Sequence, residues 1–333
     1  MRLSTLVAIA VITGLSACDR QDGPPDPVAD AIAIADEYVA GYYDEYPEDA
    51  YETGYPAPMD RMGDHRLANI AAWEAREDAW VARLQAIDPS LLVGTEAAVP
   101  YAFSLERLQA SIDRRVCRPY LWNVSPTWTG WQNFFGSVFA KQPVGTAESR
   151  AATIARVRDV ARYIDTEIDN LRHGTREGYT APRSNVMRVI AQVEALTSVP
   201  AEESPFYEPA TRDDDPEFGA ELAAAITNAI VPAAQRYRDY LNDEYLGTAR
   251  EAIAVTADPG GRDCYLASVV FYATLPLTPE EIHETGLREI SRIQDEMREI
   301  GRRSFGTEDL TELLAVVRAD PAHSFETREQ IVE

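Results

Sequence analysis

Four histidines, His65, His173, His283 and His323, are the side chains best suited to hold a hydrolytic metal. A helical zinc site needs two of them four residues apart, so that both imidazoles face one ion, with a Glu between them as base. No pair has that spacing. His283-Glu284-Thr285-Gly286-Leu287 begins the pattern and ends it in a side chain that cannot ligate. His283 therefore reads as a first-turn residue of a capped helix. His173-Gly174 reads as the end of the Ile154 helix, where the dipole favours a cation such as His173. The sequence has no G-x-S-x-G elbow, no G-x-x-x-x-G-K-S/T loop and no G-x-G-x-x-G after a strand. Acid runs such as Glu280-Glu281 and Asp213 to Asp215 belong to a chain with 55 acidic residues and mark no catalytic dyad. On these residues the chain carries no catalytic set, no metal site and no cofactor. Trp122, Trp128 and Trp131, with Phe134-Phe135 after them, form an aromatic stretch that either lines a substrate cleft or plugs a core.

The net charge of −24 argues against nucleic acid, whose phosphates would be repelled, and against holding an anionic lipid surface by charge. Any membrane anchor must be apolar. Arg2 followed by Leu3 to Leu15 is too short to span a bilayer, which takes about 20 residues, and reads as a leader. Leu15-Ser16-Ala17-Cys18 then resembles a bacterial lipobox, cut before a Cys that carries lipid; the alternative is an ordinary secretory peptide containing a Cys. Residues 1–18 are thus expected to be a lipoprotein signal peptide and 19–27 a polar tether, Pro-rich and stiff. The expected location is the cell envelope, facing the periplasm, with lipid on Cys18 as the link to the bilayer. Asp19 resembles an inner-membrane retention signal used in enteric bacteria, a rule that does not extend to all bacteria. Cys117 and Cys264 could pair in an oxidising periplasm. They lie far apart and show no framework spacing, so the expectation is two buried free thiols.

The elements around these residues read as helical almost throughout. Ile154, Val157, Ala161, Ile164, Ile168 and Leu171 step by three and four and share one helix face, with Arg156, Arg158, Asp159, Arg162 and Glu167 expected outside. Ile282, Ile290, Ile293, Met297 and Ile300 mark a second such seam, and Trp73, Trp80, Leu84 and Ile87 a third. Further helices are expected over 28–46, 96–118, 217–241 and 308–318. Pro232 should kink or split the helix that contains it. Ala252 to Thr256 is the one short run with strand character. The expectation is an all-α chain with one helical domain over 28–333. Thr327-Arg328-Glu329-Gln330 reads as a capping box. It opens a helix too short to stand alone, so the sequence is expected to be the front part of a longer protein.

Pro259-Gly260-Gly261, an aromatic-rich helix, and then Leu277-Thr-Pro-Glu-Glu-Ile-His-Glu-Thr-Gly-Leu287 resemble the bacterial family called domain of unknown function 885. Upstream, Gly178-Tyr-Thr-Ala-Pro-Arg183, Ser204-Pro-Phe-Tyr207, Asp243-Glu-Tyr-Leu246 and Ala249-Arg250 fall in the family's order. Cys264 departs from it, since the family usually shows an aromatic residue beside Tyr265. The resemblance implies a zincin-like fold, similar to large metallocarboxypeptidases. It implies a zinc peptidase parent whose H-E-x-x-H lies beyond Glu333, and a chain that is catalytically incomplete. The Gly260-Gly261 turn, Arg262 and Tyr265 are the expected cleft-lining groups: glycine allows close approach and Arg can hold a peptide carboxylate. The rival expectation is a non-catalytic helical scaffold or peptide-binding lipoprotein.

Overall fold

The computed structural model describes residues 26–325, 327 and 329–332. The leader and Cys18 lie outside the described residues. Among those described there is no strand; Pro182 and Arg250 form one isolated bridge. The fold is all-α.

The first group of helices is α1 (Pro27–Glu45), the single turn α2 (Ala50–Thr53), α3 (Leu67–Gln85) and α4 (Ala98–Arg114). The Asp26 carboxylate opens α1 by accepting from the amides of Val28 and Ala29, at 3.1 and 3.3 Å, with Pro27 in the first turn. The three long helices pack pairwise. Ile34 and Tyr38 of α1, Trp73, Trp80 and Leu84 of α3, and Leu108 of α4 share one core. The expected 28–46 helix and the Trp73 seam are both present.

The second group is α5 (Trp131–Lys141), α6 (Ala147–Glu177), α7 (Arg183–Thr197), the single turn α8 (Glu208–Thr211), α9 (Pro216–Ala225) and α10 (Val231–Tyr240). A capping box between Thr146 and Ser149 starts α6. Ile154, Val157, Ile164, Ile168 and Leu171 are each 5 % exposed or less. Two expectations about α6 need correction. Arg156 is fully buried, not outward, and Glu167 also turns inward, its side chain 13 % exposed against His65. The Arg156 guanidinium donates to Gln142 Oε1 at 3.1 Å and to the Pro58 carbonyl at 2.6 Å, and lies 4.7 Å from the Tyr51 ring centroid. A loop laid over α6 thus takes up the terminal nitrogens, while Nε stays buried without a partner among the described residues; periodicity cannot foresee either. The helix also runs one turn past His173-Gly174. Gly174 lies inside it, and the position needs glycine because a Cβ there would lie 1.9 Å from the Leu121 carbonyl.

The expected split of the 217–241 helix is present: the stretch divides into α9 and α10. A π turn, Ile226–Ile230, joins α9 to α10 and places Pro232 in the first turn of α10. The wider turn accommodates the missing amide and the ring one turn back.

The third group is α11 (Gly261–Ala273), α12 (Pro279–Ile300), α13 (Leu310–Ala319) and the turn α14 (Glu329–Val332). The strand candidate, 252–256, is extended at first and then enters a 3-10 turn, Val255–Ala257. Cys117 and Cys264 are joined in a disulfide, against the expectation of free thiols. Their 147-residue separation hid the pair: α11 packs back onto α4 and the turn after it, Arg115–Cys117. At α12, Thr278 and Glu281 form the expected capping box. No residue of α12 is buried. Its main packing partners are the turn that follows it and α13. At the far end the Thr327 amide donates to Gln330 Oε1 and the Gln330 amide to Thr327 Oγ1, at 3.4 and 3.5 Å.

Candidate functional site

A cleft of about 510 Å3 opens where α1, α3 and α4 face α5, α6 and the end of α11. Its inner wall is aromatic. Ring centroids run from Trp73 to Tyr46 at 5.7 Å, from Tyr46 to His65 at 6.3 Å, from His65 to Tyr163 at 4.6 Å and from Tyr163 to Phe135 at 4.9 Å. The chain of rings crosses between the two helical groups. Each ring is carried by a different segment, so no short sequence window announces it. Of the tryptophan stretch, Trp131 is buried and lines the cleft, while Trp128 is 76 % exposed and does not. The Trp122 indole donates to the Cys117 carbonyl at 2.8 Å.

His65 sits at the start of α3 with its carbonyl held by the Asn170 amide group at 2.8 Å. Its Nδ1 is 3.0 Å from Glu167 Oε1. Burial pulls the imidazole pKa down, but the bond to Glu167, its charge and that of Glu48 outweigh this and raise it above the ordinary 6.5. Glu48 is buried and accepts from the Gly63 amide at 2.9 Å. Burial raises its pKa. Gly63 is required here, because a Cβ would stand 2.9 Å from Glu48 Oε1 and 3.1 Å from the Glu45 carbonyl. The Tyr42 hydroxyl donates to Asp49 Oδ2 at 2.6 Å. Burial raises the pKa of Tyr42, Tyr46 and Tyr163 alike, so these phenols stay neutral and serve as hydrogen-bond groups.

The opposite wall comes from α3, α4 and α11. Glu77 is buried, yet its charge is consumed locally: Ser111 Oγ donates to it at 2.7 Å and Arg115 at 2.9 Å. Arg107 and Arg114 lie on the same wall. Their guanidinium carbons sit 3.7 and 4.5 Å from the Phe271 ring centroid. The Cys117–Cys264 link ties α11 to the end of α4 and so supports that contact.

The four residues expected to face a cleft in the intact parent lie outside this one. Gly260 takes a left-handed φ of 65° before α11. Gly261 approaches the Val255 carbonyl, which would lie 2.0 Å from a Cβ. Arg262 is exposed and Tyr265 is 43 % exposed, and none of the four lines the cleft. The strings that carry the family resemblance meet instead in a structural clamp. Arg250 pairs with buried Asp258 at 2.9 Å. The Thr180 amide donates to Asp258 Oδ1 at 3.2 Å, and the Ala181 amide to the Tyr245 hydroxyl at 2.7 Å. The Arg183 amide donates to the Arg250 carbonyl at 2.7 Å.

Zinc, the ion the resemblance implies, does not fit the described residues. No three His, Cys, Asp or Glu side chains converge among them. His65 is bonded to Glu167, His173 pairs with Glu177 at 2.8 Å, and His283 is exposed on α12. No chemical step is routed through zinc here.

A family model described as "Bacterial protein of unknown function (DUF885)" matches residues 47–333, and the chain belongs to that family. The comparison with curated proteins gave no match. Among solved structures, the protein named "putative lipoprotein from Colwellia psychrerythraea" shares the fold. It has a TM-score of 0.69, 17 % sequence identity, and coverage of 92 % of this chain and 57 % of that one. The present chain thus spans a little over half the length of that relative. Cys264 is a disulfide partner. No helix among the described residues is long and apolar enough to cross a membrane.

Proposed function

With membership of that bacterial family as the premise, we propose that this chain is the helical half of a zincin-like peptide hydrolase. It is carried on lipid at Cys18, faces the periplasm and is catalytically incomplete alone. The observation that carries this reading is the bare apolar seam of α12. Ile282, Ile290, Ile293 and Ile300 are 36, 54, 45 and 44 % exposed, in a chain that spans 57 % of a relative whose fold it shares. A seam of that kind is unusual on a finished surface. In this reading its occupant is the remaining region of a longer family chain, which also brings the zinc and the glutamate base that would deprotonate its bound water. The present residues supply the cleft, with aromatic rings for side chains and charged groups for the peptide ends.

The test is metal content after dialysis, together with turnover of a panel of short peptides with and without added zinc. The expected result is no stoichiometric zinc and no cleavage, with peptides bound and recovered intact. One tightly held zinc per chain, with chelator-sensitive cleavage lost in His65→Ala or His283→Ala, would contradict it. For the anchor, wild type should fractionate with membranes and Cys18→Ala with the soluble periplasm; soluble wild type would refute the lipid reading.

A second reading has its own support. The cleft is walled entirely by described residues and does not involve α12, which suits a non-catalytic peptide-binding lipoprotein. Such a protein would show no hydrophobic-dye binding at α12.

A further inference from the structure

Arg107 and Arg114 are seven residues apart on α4, two turns along one face, and both line the cleft. Neither has a carboxylate partner among the described residues, in a chain with 55 acidic residues. The next residue shows what the surroundings can supply: Arg115 binds Glu77 at 2.9 Å and Asp78 at 2.8 Å. Arg107 instead has the Phe271 carbonyl at 3.4 Å and the Tyr38 hydroxyl beside it. The Arg114 Nε is buried with no hydrogen-bond partner. Both guanidinium groups stack on the α11 rings, Arg107 on Phe271 and Arg114 on Phe271 and Tyr272, the last at 5.1 Å.

Stacking holds a guanidinium by its face and leaves donors on its edge. Two such cations in one cleft favour an anion that can reach both. The rest of the cleft selects the anion. Glu48, Asp49, Glu74 and Glu77 line it too, so a compact dianion meets repulsion that a single, flat carboxylate meets less. A carboxylate also matches the paired edge donors of a guanidinium. Tyr38, Trp73 and Phe134 offer apolar surface for what the carboxylate is attached to.

We infer that Arg107 and Arg114 form a carboxylate-binding site that receives the free C-terminus of a short apolar peptide. The peptide part rests on the function proposed above; the carboxylate part stands on the arginines alone. The probe is N-acetyl-Leu-Phe as the free acid and as its C-terminal amide, titrated into the purified chain at fixed ionic strength and read by calorimetry. The acid is expected to bind at least tenfold tighter than the amide. In R107Q/R114Q the acid should fall to the affinity of the amide, with the melt as the check on folding. If that variant fails to fold, the wild-type acid-to-amide ratio decides alone. Equal binding of acid and amide, no saturable binding of either, or a preference that survives in folded R107Q/R114Q would overturn the site. So would inorganic phosphate competing as strongly as the acid, which would make it a general anion site. No turnover is needed, so an acid preference without cleavage keeps the site while the hydrolase reading fails.

Discussion

Helices α6 and α12 carry the same kind of apolar seam and meet opposite fates. Both begin in a capping box, and both repeat aliphatic residues at intervals of three and four. Ile164 and Val157 of α6 are fully buried, whereas Ile290 of α12 is 54 % exposed. The difference lies in the surroundings. α6 is crossed by α9, by α10 and by the π turn between them; α12 lies mainly against α13 and its own C-terminal turn. Periodicity therefore states which face a helix would bury. Whether the same stretch of chain supplies the covering surface is a separate, long-range fact.

The largest expected effect separates the two seams directly. Ile164→Ala leaves a cavity in a closed core and should cost about 2–5 kcal/mol. Ile290→Ala removes atoms that already face solvent and should stay within about 0.5 kcal/mol. Urea midpoints of the two variants check this. Similar losses in both would mean that α12 is packed in solution.

Next comes the disulfide, the one covalent tie between α11 and the first helical group. Removing Cys117–Cys264 as C117S/C264S should cost about 2–4 kcal/mol, by freeing a long loop in the unfolded chain. The α6 core should keep its hydrogen-exchange protection, while the α11 amides lose theirs. An unchanged melt in reducing buffer would mean that the thiols are not joined.

A smaller effect tests the cleft. His65 has a folded pKa above 6.5, so its pairing with Glu167 stabilises the fold fully at pH below 6.5. That contribution fades as pH rises through the elevated folded value. Melting temperature should therefore fall from pH 6 to pH 8 more in wild type than in His65→Gln, by about 1 kcal/mol or less in stability terms. Parallel profiles would show that the imidazole gains no proton on folding.

Much of the helical order was legible in the sequence, because the seams and the Thr278 box are local signals. Pro232 was legible as a disturbance but not as a π turn, since the wider turn depends on what α9 and α10 pack against. The cleft was not legible. His65 meets Glu167 across 102 residues and Arg107 meets Phe271 across 164, so no spacing rule connects them. The motif-bearing Gly260, Gly261 and Arg250 drew attention because their wording is unusual. The structure uses Gly261 and Arg250 to clamp backbone segments together. The free-thiol expectation failed for a similar reason: two cysteines 147 residues apart look independent until α11 folds back on α4.

The most direct measurement is hydrophobic-dye fluorescence of the purified chain beside I282E/I290E/I293E. If α12 holds a seam made for another surface, wild type binds dye, and the triple variant loses most of that binding with an unchanged melt. A wild type that binds no dye and unfolds in one sharp transition, or dye binding that persists in the triple variant, would contradict the account.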